Sequence, residues 1–341
     1  MKLNAVCSIL LLLCFAWLAL LSGAVPVTAE GSDAIRAEES PAPAAAPLSA
    51  GTLSGREATP TPMPTAAPEP TPEPTPEPTP ESTPEPTPGT PVVISTTITG
   101  DMLRNDTYYD IDPQALLAEG VGLSLPAEGF QILILHSHAT EAYTPNGADD
   151  YESSEEYRTT DPAQSVVRVG EELAQALSAY GLNVLHDTTL YDYPEYTGAY
   201  VRSGAAIEAY LAAYPGIRLV IDLHRDALGD SDTIYKTVTQ IEGETAAQIM
   251  FVMGTDVNLE HPNWRENLKL ALTLQDAVSE RWPALMRPTE LCDYRYNQQL
   301  TCGGLLMEVG TAGNSLQEAL TAVRCFAEAT GPLLASYISE A

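Results

Sequence analysis

From about residue 130 onward, short apolar runs alternate with longer stretches of helical spacing. Ile132-Leu133-Ile134-Leu135 closes a run that reads as a buried strand over 131–135. Residues 162–180 place Val166, Val169, Leu173, Ala176 and Leu177 at helical spacing and stop at Gly181. A strand over 182–185 follows, then a helix over 200–214 and a second apolar strand over 218–223. Strands over 235–240 and 248–253 flank Glu242-Gly243-Glu244 and read as neighbours. Asn263 opens a helix running to residue 282, with Glu266 as its capping-box partner. The last strand spans 304–309 and the last long helix 315–339. Strands separated by helices of this length predict an α/β domain: a mainly parallel central sheet with helices on both faces.

The chain ahead of this domain, over 130–341, has a different character. Residues 5–24 are uncharged and mostly apolar, long enough to cross a hydrocarbon core of about 30 Å. Residues 1–30 therefore read as an N-terminal membrane anchor, or as a signal segment cleaved after Val27-Thr28-Ala29. Either way the remainder faces outside the cytoplasm, as a single-pass cell-membrane protein or a secreted one. Residues 31–92 are a linker rich in Pro, Thr and Glu, whose Thr-Pro-Glu-Pro repeats disfavour helix and sheet and favour extended polyproline II. Residues 93–129 read as a lead-in that packs on the domain, with a short helix near 113–117.

Charge narrows the partners. Sixteen basic against 46 acidic residues give a formal net charge of −30, the wrong sign for a nucleic-acid partner. Five cysteines, two of them in the apolar N-terminal segment, build no disulfide framework; Cys292, Cys302 and Cys325 read as buried or half-buried thiols in preference to a Cys292–Cys302 pair in an oxidising compartment.

The chain has only five histidines, and they mark the candidate chemistry. His136 and His138 follow the first buried strand, with Glu141 three residues beyond His138. That spacing lets an imidazole and a carboxylate from one turn grip one divalent ion. His224 ends the second apolar strand after Asp222 and before Arg225, and Glu308 sits inside the last strand. An ionised Glu there is costly unless it is paired or near a metal. The set supplies two histidines and a glutamate for Zn²⁺, and Glu308 as a separate catalytic base. His136 and His138 compete for the metal, since alternate strand residues share a face. His138 is preferred for its spacing to Glu141, which leaves His136 behind the site or facing substrate. Asp222 shares a face with His224 and could orient it. Arg202 and Arg225 read either as substrate-carboxylate ligands or as salt-bridge partners. His186 reads as a fold or rim element, His261 as part of a helix cap. Tyr191, Tyr193, Tyr196 and Tyr200 either line a groove or pack on one another.

Five segments in order carry a resemblance: Leu-His-Ser-His-Ala-Thr-Glu-Ala-Tyr (135–143), Asp-Tyr-Pro-Glu-Tyr-Thr-Gly-Ala-Tyr (192–200), Asp-Leu-His-Arg-Asp-Ala (222–227), Glu-His-Pro-Asn-Trp-Arg-Glu-Asn (260–267), and Tyr-Asn-Gln-Gln-Leu (296–300) with Leu-Met-Glu-Val-Gly (306–310). Together they resemble the stage II sporulation protein P family. The resemblance implies a fold similar to zinc amidases and carboxypeptidases. It implies a membrane-anchored, zinc-dependent N-acetylmuramoyl-L-alanine amidase acting on peptidoglycan in spore engulfment, beside a lytic transglycosylase partner. His138, Glu141 and His224 would then be zinc ligands and Glu308 the base. Cleavage of peptide cross-links is a further implied activity. A metallopeptidase confined to cross-links and an inactive wall-binding scaffold remain the alternatives.

Overall fold

The computed structural model describes residues 92–147, 151 and 157–339. The segment expected over 1–30, and the linker up to its last residue, lie outside the described residues. Among the described residues, no helix is long and apolar enough to cross a membrane.

The described chain opens with strands β1 (Val92–Thr96) and β2 (Leu103–Asn105), helix α1 (Pro113–Glu119) and β3 (Leu125–Pro126). An alternating part follows: β4 (Ile132–Leu135), α2 (Val166–Ser178), β5 (Val184–His186), α3 (Ala199–Ala213) and β6 (Leu219–Asp226). Then come β7 (Thr233–Ile241), β8 (Glu244–Ala247), β9 (Ile249–Gly254), α4 (Trp264–Arg281), β10 (Thr289–Cys292), β11 (Gly304–Thr311), α5 (Leu316–Ser336) and β12 (Ile338–Ser339).

Seven strands form the central sheet in the order β2-β10-β9-β11-β6-β4-β5. All neighbours are parallel except β9 and β11. The sheet is thus two parallel blocks that meet at one antiparallel seam. All four residues of β4 are buried, as a central strand covered on both faces requires. Alternate residues of each strand divide between the two covers. Ile132 and Ile134 join a core with Val169 and Leu173 of α2, Leu270 of α4 and Phe326 of α5. Leu133, Leu135 and Val220 point the other way and meet Ile207 of α3. The expected parallel-dominated sheet with helices on both faces is what the chain adopts.

The topology locates the site. From β4 the chain crosses through α2 to β5 on one side, then through α3 to β6 on the other. The crevice beyond the carboxyl ends of β4 and β6 is therefore a topological switch point, where open α/β sheets bind ligands.

Ahead of β4, β1 pairs in parallel with β7 and β2 with β10. Pro113 opens α1 and the Asp112 side chain caps it, accepting from the amides of Gln114 and Ala115. Two expectations need correction. The strands expected over 235–240 and 248–253 are not neighbours across the Glu242-Gly243 turn. β7 instead makes a hairpin with β8, through Glu242 and Gly243 at φ 50° and 90°, as a tight two-residue turn demands. β9 leaves after Gln248 to become the antiparallel neighbour of β11. Asn263 does not cap α4 with its side chain. Its amide donates to the Gln299 carbonyl and its Oδ1 faces Cys302 Sγ at 3.2 Å, which pins the 299–302 segment instead. A full capping box forms at α5, between Ser315 and Glu318. Cys292, Cys302 and Cys325 are free thiols, the reading their scattered positions favoured over a Cys292–Cys302 pair.

Candidate metal centre

β4 ends at Leu135, and the chain turns at once: the Glu141 amide donates to the His138 carbonyl at 3.1 Å. This turn brings His138 and Glu141 side by side at the mouth of the switch point. His224 arrives from β6. Candidate ligand atoms of His138, Glu141 and His224 all lie within 4.8 Å of one another. The Glu141 carboxylate sits between the two rings, with Oε1 3.6 Å from His138 Nδ1 and Oε2 3.3 Å from His224 Nδ1. The two nitrogens and the carboxylate are the donor set that Zn²⁺ takes in hydrolase sites with an open fourth position.

Burial opposes a charge on Glu141, yet His138, His224 and Arg225 outweigh it and hold the carboxyl well below the usual range. Burial likewise works against protonation of His224, but Asp222 and Glu141 reverse it and raise the imidazole well above its usual value. His224 Nε2 lies 2.9 Å from Asp222 Oδ1, off the line of a straight N–H···O bond. An anionic, buried carboxylate between two imidazoles is a cation cradle in chemical terms.

Glu308 stands on β11 in register with His224 on β6, so their side chains leave neighbouring strands on one face. The β11–β6 register shifts between Glu308 and Thr311, a bulge that ends regular pairing just past the carboxylate. Burial pushes the Glu308 carboxyl up to about 8, against the pull of His224. Its Oε2 is buried and without a hydrogen-bond partner among the described residues.

The remaining sequence candidates divide. His136 turns away from the cluster. Its Nδ1 lies 2.8 Å from the Leu223 carbonyl, which only accepts, so Nδ1 carries the proton and bare Nε2 receives the His186 Nε2 proton at 2.9 Å. Burial and His186 lower its pKa to about 3. Asp222 is held against His224. Arg225 is 5% exposed and donates to the Ala142 and Tyr157 carbonyls, while its amide reaches Glu141 Oε2 at 3.2 Å. Its guanidinium thus fastens the loop behind Glu141. Arg202 likewise donates to the Tyr191, Thr197 and Glu195 carbonyls. Both arginines hold backbone where the sequence left open a substrate carboxylate.

One residue of the site, Arg158, had no sequence signal. Arg158 pairs with Asp192 at 3.0 Å, approaches Glu141 at 3.6 Å and lies over the Tyr196 ring. Tyr196 in turn stacks on His138 with ring centroids 4.6 Å apart. Asp192 accepts from the Thr140 amide and hydroxyl, locking the His138–Glu141 turn from outside. Tyr200 meets His138 edge-on and lies parallel to His224. The tyrosine cluster thus contributes two rings to the site itself.

Fold and site together define an α/β domain with a His-Glu-His cluster and a neighbouring carboxylate at the switch point of its sheet. The chain matches the family Stage II sporulation protein P (SpoIIP) over residues 76–331, and it belongs to that family. It is 28% identical over 210 residues to the Stage II sporulation protein P of Bacillus subtilis (strain 168), covering 58% of this chain and 49% of that protein. The chain thus matches about half the length of this curated relative. Among solved structures, it is similar to the CwlD amidase from Clostridioides difficile in complex with the GerS lipoprotein, at 14% identity, TM-score 0.38, 61% of this chain and 98% of that one. It is also similar to the N-acetylmuramoyl-L-alanine amidase AmiC2 of Nostoc punctiforme, at 10% identity, TM-score 0.35, 61% of this chain and 97% of that one.

Proposed function

We propose that this chain is a zinc-dependent peptidoglycan hydrolase of sporulation that cleaves the amide between the lactyl group of N-acetylmuramic acid and L-alanine. The observation that carries this reading is the convergence of His138, Glu141 and His224 from two strand ends, with Glu308 in register beside His224. Family membership supports the setting of sporulation.

His138, Glu141 and His224 would hold the zinc. Bound there, zinc supplies Lewis acidity that polarises a carbonyl and acidifies water. Glu308 takes a proton from the attacking water as the water oxygen bonds to the carbonyl carbon. The carboxyl then returns that proton to the leaving nitrogen as the C–N bond breaks, giving a carboxylic acid and the amine of the stem peptide, between which the acid proton passes to leave carboxylate and ammonium. A carboxyl lifted by burial toward neutrality suits both halves of this transfer. Tyr200, lying against both histidines, keeps water off one side of the cluster.

The test uses the zinc-loaded chain on purified sacculi. Stem peptides with free N-terminal alanine are expected, and Glu308→Gln should cut their release at least about 100-fold with zinc content unchanged. Release undiminished in Glu308→Gln, or fragments cut only at peptide cross-links, would overturn the assignment.

We further propose that residues 5–24 anchor the chain in the membrane and that the proline-rich stretch acts as a stalk. Their apolar and proline-rich compositions support this. Recovery of the intact chain from the soluble fraction of cells, with none in membranes, would count against it.

A further inference from the structure

Behind His224, a file of buried polar groups runs from the sheet to a left-handed turn. Ser137, directly after β4, donates twice to Asp222: its amide to Oδ1 at 2.7 Å and its hydroxyl to Oδ2 at 2.6 Å. A carboxylate only accepts, so the Ser137 hydroxyl proton is committed. The Ser203 hydroxyl of α3 lies 2.6 Å from Ser137 Oγ and 3.4 Å from the Tyr200 carbonyl, and the shorter contact, where Ser137 has no proton to give, takes its proton. Ser203 Oγ is left to accept from Asn297 Nδ2 at 3.2 Å. The orientation of the Asn297 amide follows from the Tyr200 carbonyl 2.8 Å away, which demands an N–H. Direction is thus fixed at every link: Asn297 to Ser203 to Ser137 to Asp222. Ser137 and Ser203 are wholly buried and Asp222 is 3% exposed, so bulk water does not interrupt the file.

The far end is held just as definitely. Tyr296 and Asn297 both adopt left-handed backbone, at φ 43° and 60°, uncommon for a bulky residue such as tyrosine. Gly204 lies beneath them. A Cβ there would come within 2.9 Å of Asn297 Oδ1, so a residue without a side chain lets the turn seat on α3.

We propose that Asn297, Ser203 and Ser137 are positioning residues of the metal centre. The file orients Asp222, and Asp222 turns His224 so that Nδ1, not Nε2, faces Glu141 and His138. Donors aligned in one sense reinforce one another, which makes the file act as a unit. This inference rests on the reading of His224 as a metal ligand. It also gives the 296–297 turn a part in the chemistry without contact with substrate or metal.

The test measures zinc dissociation constants of the purified 341-residue chain by competition with a chelating dye. It adds the visible spectrum of the Co²⁺-loaded protein, for wild type, Asn297→Gly, Ser203→Ala and the double variant. Glycine is at home in left-handed backbone, so Asn297→Gly removes the donor while keeping the turn. Its metal-free form should still unfold in a single cooperative transition, with a melting temperature lowered by the loss of the two Asn297 hydrogen bonds. Each single variant should weaken zinc binding about tenfold and shift the Co²⁺ bands, as loss of outer-sphere partners does. The double variant should be no weaker than the weaker single one, because one file is already broken.

Unchanged affinity and spectrum in Asn297→Gly would overturn the proposal, whether or not Ser203→Ala folds. Additive losses in the double variant would also overturn it, by showing two independent effects. A wild-type chain that binds no zinc would overturn it too, and would take the reading of the cluster with it. That separates the two failures.

Discussion

Gly170 on α2 shows how closely the interior is fitted behind the metal centre. A Cβ at this position would come within 2.6 Å of His136 Nε2 and 2.8 Å of His186 Nε2. The pair it would displace bridges β4 and β5, and His136 also holds the Leu223 carbonyl next to His224. Gly170→Ala gains helix propensity but overpacks this contact, and overpacking typically costs about 1–3 kcal/mol. A lower urea midpoint with an unchanged slope is expected; equal or higher stability would show that the histidine pair yields freely. At this scale the sequence was informative where chemistry coincides with an apolar run. His138, Glu141, His224 and Glu308 each stand at or in a strand end, and the four converge. Ser137, Ser203, Asn297 and Arg158 were not legible. Small polar residues follow no periodicity, and their partners lie far away in the chain, Ser137 and Asp222 being 85 positions apart.

Among the elements, long amphipathic helices and fully buried strands were readable, since burial on one or both faces imposes a pattern. β10, Thr-Glu-Leu-Cys, was not, because four residues with a single fully apolar member carry too little pattern. The hairpin of β7 and β8 was missed for a related reason. Apolar content runs on from β8 through Gln248 into β9, and nothing local marks the passage from one sheet to another. The two helix starts make a sharper contrast. Asn263 and Ser315 are both good cap residues with a glutamate three positions on, yet only Ser315 forms the box. Lys236 bonds Glu318 at 2.6 Å and helps hold it in place, whereas the side chain of Asn263 is engaged by the 299–302 segment. Ser315→Ala should therefore destabilise the domain by about 1 kcal/mol through loss of the cap. Thermal or chemical denaturation measures this, and a neutral outcome would mean that Glu318 and its partners hold the helix start alone.

For the molecule as a whole, one expectation ties metal to stability. If His138, Glu141 and His224 hold an ion only in the folded chain, zinc at 100 times its dissociation constant should add about 2.7 kcal/mol. A chelator should remove both that increment and hydrolysis, and added zinc should restore both. His224→Ala should abolish the zinc-dependent rise in melting temperature. A rise that persists in the variant would place the ion elsewhere. The seam between β9 and β11 gives the sheet its overall division. The strands carrying the cluster and Glu308 run in one block, and the chain from β2 through β10 to β9 forms the other.

The entry point of the described chain has a mechanical meaning. The described chain begins at β1, which lies outside the seven-stranded sheet and, among the described residues, pairs with β7 alone. Just beyond it, Ile98 is clamped by both polar atoms of the Gln248 side chain. Tension along the preceding chain would thus load a five-residue ladder and this clamp first. It would reach β11 and the residues just after it through the contacts of Thr311 and Asn314 with β7, and directly through Gln248, whose carbonyl accepts from the Gly310 amide. Force applied at residue 92 would thus meet the β1–β7 ladder and Gln248 before the strands that carry His224 and Glu308.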